Sequence, residues 1–341
     1  MKERLSDKLS IISPNVNIIR FFAAIGVIIS HSFYVAENKP DFLYVFSNGQ
    51  INIGGVAVGI FFFYSGLYVT KSLAKTQSVT DFMFKRCIRI FPQLWIVVVA
   101  CVLFMGPIWS NRNIIEYYSC LNTYKYLLNG LLIPVHNLPG VFENNIYDST
   151  VNGPLWTMPI EFMAYCSLAF VWAIWFYAFK KKISQKYLHI VALCSSMLLF
   201  VVAFTVLKHD MLIQVMRPVV IFFMGVIYYD YAEKIILDVR IAIIEVLIIV
   251  LACRIGGLSF ALILFLPYVI ATFSLALKQC KVSCEIFNIS YEMYLVGWPI
   301  QQSVSNCFGG TVSVWLNNLI TIPIDIVIAI GIYKMVMRKK I

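Results

Sequence analysis

Arg20 and His31 stand eleven positions apart in the segment NIIRFFAAIGVIISHSF, separated by a run that is almost wholly apolar. On a helix, eleven residues rise about 16–17 Å and turn through three revolutions plus roughly 20°, so both side chains share one face. An imidazole in that place can move a proton, and a guanidinium can clamp an anion. Removing a charge from water inside a bilayer costs about 2.5–3.5 kcal/mol on insertion scales, and such residues mark polar cavities or pathways. Plainer roles stand beside these: Arg20 as a snorkelling anchor and His31 as an interhelical hydrogen-bonding group.

Other residues extend the pattern. Arg86 and Arg89 in FKRCIRIFPQLW are three apart, neighbours on one helical face, and paired guanidinium groups suit bidentate phosphate contacts as well as plain positive-inside bias. Glu161 in NGPLWTMPIEFMAY is a carboxylate inside an apolar segment and needs a partner. That partner is either His31, whose tautomer and basicity a carboxylate would set, or Arg217 in a structural ion pair. Asn152 and Trp156 precede Glu161 by nine and five residues, about two and a half and one and a half turns, where an indole commonly anchors at the interface.

The elements that position these groups follow from composition. Of 341 residues, 60% are hydrophobic and 13% charged, about half the charge of a soluble domain. The mean hydropathy is +0.82. These values indicate an all-α, polytopic membrane bundle forming one domain over 1–341. Ten segments have roughly the length a bilayer requires: 17–36, 53–70, 88–108, 155–179, 188–207, 211–229, 239–254, 258–277, 286–306 and 314–335. The apolar stretch 126–135 is too short to cross and falls in a long outer loop, 109–153, as a re-entrant or interfacial piece. The polar start, Met1 to Ser10, has no cleavable-signal pattern after it, so the first span is expected to stay. With both termini cytoplasmic, 21 of the 27 Lys and Arg fall inside and six outside, as the positive-inside rule demands. This bias accounts for most of the net charge of +10 and makes nucleic-acid binding unnecessary. The nine cysteines, Cys284 among them, are scattered without paired or metal-like spacing, and no metal is expected.

Taken together and in order, these segments resemble the acyltransferase-3 family of integral-membrane acyltransferases. The likeness runs from about residue 15 to 335. It rests on the Arg20–His31 spacing, GGVAVGIFFFYSGLYVTKSL, RCIRIFP, NGPLWTMPIEFMAY, RPVVIFFMGVIYY and ISYEMYLVGWPIQQ. The resemblance implies acyl transfer, commonly of acetyl from acetyl-CoA, to extracytoplasmic carbohydrate such as O-antigen or exopolysaccharide sugars. It assigns His31 as the essential histidine, Arg20 as its partner arginine and Arg86 with Arg89 as the cytoplasmic pair. Phe61, Ser65 and Gly66 match the signature of the second span. Two positions depart from the pattern: Leu67 replaces an aromatic, and Gly297 replaces a second histidine before Trp298–Pro299.

The reading is therefore a multi-pass O-acetyltransferase of the inner, cytoplasmic membrane, with acetyl-CoA as cosubstrate and partners in the bilayer and a carbohydrate acceptor on the outer face. Catalysis falls to His31 and Glu161, donor binding to Arg20, Arg86, Arg89, Ser65 and Gly66, and acceptor contacts to Asn152 and Trp156. The extracytoplasmic domain that some relatives append is not expected after Arg338, Lys339 and Lys340. A transporter or flippase for a lipid-linked sugar or small anion is the other class that intramembrane Arg, His and Glu would suit.

Overall fold

In the computed structural model, all ten apolar segments form helices, and residues 3–9, 13–280 and 285–337 are described. Cys284, Arg338, Lys339 and Lys340 lie outside them. We label the long helices α1 (Pro14–Glu37), α2 (Ile53–Thr76), α3 (Val79–Trp109), α4 (Gly153–Ala178), α5 (Gln185–Leu207), α6 (Asp210–Asp230), α7 (Val239–Ile255), α8 (Leu258–Leu275), α9 (Ser290–Cys307) and α10 (Val314–Met337). Among the described residues, eight of these are long and apolar enough to cross a membrane. The other two are α7, at 17 residues, and α9, whose 18 residues include the buried polar side chains Glu292, Gln301 and Gln302. Strand structure in the described residues is confined to one short antiparallel pair, Glu3–Arg4 with Ile236–Leu237.

Local chemistry sets the helix ends. Asn52 caps α2 by accepting a hydrogen bond from the Gly55 N–H at 2.7 Å, and Asp238 caps α7 by accepting from the Arg240 N–H. The turn from α7 to α8 passes through Gly256 and Gly257 at φ +104° and +82°, a region that side-chain-bearing residues seldom adopt. α3, α4 and α5 each carry a π-helical stretch, at Cys101–Met105, Ile174–Ala178 and Ala203–Leu207. In the outer loop, Ile114–Ser119 and Leu121–Lys125 form short helices, and the 126–135 segment expected to be interfacial begins with a 3-10 turn, Tyr126–Leu131.

Two compact units emerge. The first comprises Met1–Ala23, Leu43–Arg86 and Ile160–Ser283, so it holds most of α2, α4 and α5 to α8. Its core joins Phe63, Tyr64 and Leu67 of α2 to Val220 and Ile221 of α6 and Leu262, Ile263, Leu266 and Ile270 of α8. Within it, α2 and α6 touch backbone to backbone. A Cβ on Gly66 would lie 2.0 Å from the Phe222 carbonyl oxygen, and one on Gly225 would lie 2.3 Å from that of Phe63. Small residues are what let membrane helices approach so closely.

The second unit comprises Ala24–Phe42, Cys87–Pro159 and Cys284–Ile341. Its centre is polar. Gln301 of α9 donates to the Ile28 carbonyl and to Ser32 Oγ, both at 2.6 Å, and Ser32 donates to Asn318 at 2.7 Å. Asn317 of α10 donates back to the Gln301 carbonyl and to Ser305. In hydrocarbon such bonds replace the missing water, and they fix which faces of α1, α9 and α10 meet.

Candidate active site

The helix α1 is unbroken from Pro14 to Glu37, so Arg20 and His31 keep the spacing and common face that the sequence implies. In the second unit, the His31 imidazole packs edge-on against Trp298 of α9, with ring centroids 4.9 Å apart at 76°. Trp298 is itself fixed. Its indole N–H donates to the Thr150 carbonyl at 3.0 Å, and Tyr147 meets its ring at 5.4 Å. Loop 145–153 is stitched to α9 by Gln302, which donates to the Asp148 and Thr150 carbonyls, and by Asn145, which donates to Gln302. His31 is only partly buried, and among the described residues its ring nitrogens make no hydrogen bond. The ring is thus held by packing while both nitrogens remain available, the arrangement a general base or nucleophile needs.

Glu161 has a different setting, in the first unit. Its carboxylate accepts from Ser65 Oγ at 3.2 Å and from the Tyr165 hydroxyl, and Ser65 lies 2.7 Å from that same hydroxyl. Tyr165 is the residue that sequence reasoning missed, although it follows Glu161 by four positions and so lies beside it on the helix. Arg217 is not the partner of Glu161. It is buried, donates to Ser259 Oγ at 3.3 Å and sits beside Gly55, where an added Cβ would come 3.0 Å from its Nη2.

The arginines lie over aromatic rings. Arg20 is 6.0 Å from the Phe61 ring centre, Arg86 is 5.8 Å from that of Phe82, and Arg89 is 5.6 Å from that of Tyr291. Such contacts orient a guanidinium and leave its N–H edge in the ring plane directed elsewhere. Arg86 also donates to Ser72 at 3.5 Å. Gly66, expected beside the donor, is accounted for by the α2–α6 contact, which also sets the position of its neighbour Ser65. Asn152, expected at an open outer mouth, is instead buried and donates to the Leu295 carbonyl at 2.8 Å. It braces the start of α4 against α9, because a polar side chain at a helix entry inside hydrocarbon is drawn to the nearest carbonyl. Trp156 is half-buried and the more open of the two.

The helices define a multi-pass membrane protein. The chain belongs to the acyltransferase-3 family, whose sequence model, described as an acyltransferase domain, matches residues 13–334. It is similar to an O-acetyl transferase of Shigella phage Sf6, 31% identical over 146 residues, covering 43% of this chain and 42% of the relative. It is also similar to nodulation protein 10 of Rhizobium leguminosarum bv. viciae, 28% identical over 166 residues, covering 47% and 44%. The matched region thus spans less than half the length of these curated relatives. No solved structure matches the chain.

Proposed function

We propose that this protein is a membrane O-acetyltransferase that moves acetyl from cytoplasmic acetyl-CoA to a sugar hydroxyl of a cell-envelope polysaccharide or its lipid-linked precursor. The observation that carries the reading is His31, braced by Trp298 with its ring nitrogens unbonded, eleven residues along one helix from Arg20. The rise between them, about 16–17 Å, is comparable to the extended pantetheine arm of coenzyme A. Arg20, Arg86 and Arg89 supply the planar, permanently charged groups that phosphate recognition uses. His31 takes the proton from the attacking hydroxyl as the new C–O bond forms. The C–S bond breaks, and the imidazolium returns that proton to the thiolate. Glu161, tied to Ser65 and Tyr165, is the second acid–base group, and Trp156 offers an indole to the sugar.

The name of the phage relative supports acetyl as the group transferred and oxygen as its destination. The positive-inside bias supports a cytoplasmic donor side and placement in the inner membrane. The decisive test compares polysaccharide from cells carrying the wild-type gene with that from cells carrying His31→Ala. Base-labile O-acetyl signals by NMR in the first and their loss in the second are expected. Identical acetylation in both would reject the proposal. Mass spectrometry of rapidly quenched protein then separates direct transfer from an acetyl-histidine intermediate at His31.

A further inference from the structure

Asp325, in the middle of α10, is fully buried, and neither carboxylate oxygen has a hydrogen-bond partner among the described residues. A carboxyl group buried without a partner lowers the stability of the fold, and inside a membrane bundle it is a functional group by default. Its surroundings locate the function. Gly297 of α9 is one neighbour: an added Cβ there would lie 3.0 Å from Ile28 Cγ1 and 3.9 Å from Asp325 Oδ1. Ile28 is one turn before His31 on α1, and Gly297 adjoins Trp298, whose ring holds His31. Asp325 and Ile28 are thus both neighbours of Gly297, and Ile28 lies one turn short of His31 on α1. Two further buried polar atoms on the same three-helix core, Gln301 Oε1 and Asn318 Nδ2, also lack partners among the described residues.

We infer that Asp325 is a donor-recognition residue whose carboxyl accepts the amide N–H of the pantetheine arm nearest the thioester. The inference rests on the acetyl-CoA reading above. A pantetheine arm is studded with amides, and each loses its water on entering an apolar passage, so each needs a protein partner there. Only two carbons separate the last amide nitrogen from the sulfur, close to the rise of about 4.5 Å between Ile28 and His31. With the thioester at His31, that amide falls at the level of Asp325. Gly297 has no side chain, so no Cβ stands on the α9 side, where one would lie 3.9 Å from Asp325 Oδ1.

The test measures binding of acetyl-CoA, and of an analogue whose last pantetheine amide is an ester and so lacks the N–H, to detergent-purified wild type, Asp325→Leu and Asp325→Asn. Wild type should bind the ester analogue at least tenfold more weakly than acetyl-CoA. Asp325→Leu should bind both equally weakly and melt no lower than wild type, because a leucine suits the apolar layer of Ile28 and Gly297. Asp325→Asn keeps an acceptor oxygen and should retain part of the discrimination. A leucine variant that still discriminates tenfold, or one that melts well below wild type, would overturn the inference, the second result showing that Asp325 holds the fold. A wild-type protein that binds acetyl-CoA but treats both donors alike would overturn it as well. Failure of wild type to bind acetyl-CoA at all would bring down the proposed function, and the inference with it.

Discussion

His31 gains its orientation from one aromatic edge, so the energetic worth of that edge sets what its loss does. Aromatic pairs contribute about 0.5–1.5 kcal/mol beyond burial, and about 1.4 kcal/mol is tenfold in rate. Trp298→Leu should therefore lower kcat several-fold to about tenfold while leaving acetyl-CoA affinity within twofold, as steady-state assays of purified protein would show. Trp298→Phe keeps the edge but drops the bond to Thr150 and should fall between. A change confined to KM would mean that the ring serves the substrate instead. Glu161 makes a second prediction at this scale. Since Arg217 bonds to Ser259, Glu161→Gln strands no buried cation, and expression should stay near wild type. Activity should fall steeply, because the amide keeps the size and one acceptor but loses the charge. Glu161 and Tyr165 share one hydrogen bond, so Glu161→Gln and Tyr165→Phe should be strongly non-additive in a double-mutant cycle.

Helices carry the next level of the design. The α2–α6 crossing depends on Gly66 and Gly225 having no Cβ, since each would collide with rigid backbone at 2.0 and 2.3 Å. Gly66→Ala should thus be more damaging than its single methyl suggests, with an overpacking penalty of about 1–3 kcal/mol or more. It should also disturb Ser65 and with it Glu161. Thermal melting in detergent should show the loss, and Ala at Gly331, which has nothing within 4 Å of its added Cβ, is the control. On α3, Arg86 and Arg89 are one turn apart, so under the proposed function they would bind the donor as a pair. Replacing both by Lys keeps the charge but removes the planar fork, so acetyl-CoA affinity should drop while melting is unchanged. Wild-type affinity in that variant would reduce the pair to positive-inside residues.

At the scale of the whole molecule, the distribution of charge makes an orientation that can be measured. Single cysteines placed at Lys182 and Lys234 in a cysteine-free background should react with membrane-impermeant reagents only after the cells are opened. Cysteines placed in loop 109–153, for instance at Asn111, should react in intact cells. The opposite pattern would put the donor arginines on the wrong face for a cytoplasmic cosubstrate.

Much of this protein was legible in its sequence, for physical reasons that act locally. Hydrocarbon forces every backbone polar group to be satisfied within its own segment, so runs of about 20 apolar residues read directly as helices. The fixed pitch of a helix then guarantees that Arg20 and His31 share a face, and that Arg86 and Arg89 adjoin. No local rule could show what meets those faces. Trp298 lies 267 positions beyond His31, and Ser65 lies 96 before Glu161. No local rule shows that the Leu295 carbonyl of α9 meets Asn152, or that the α6 backbone lies against Gly66. Asp325 is one acid in an apolar span, and only the tertiary structure shows that among the described residues its buried carboxyl has no hydrogen-bond partner. Local patterning sets the helices and the chemistry available on each. Which side chains share a pocket was decided by tertiary packing alone, since that depends on contacts between segments far apart in the chain.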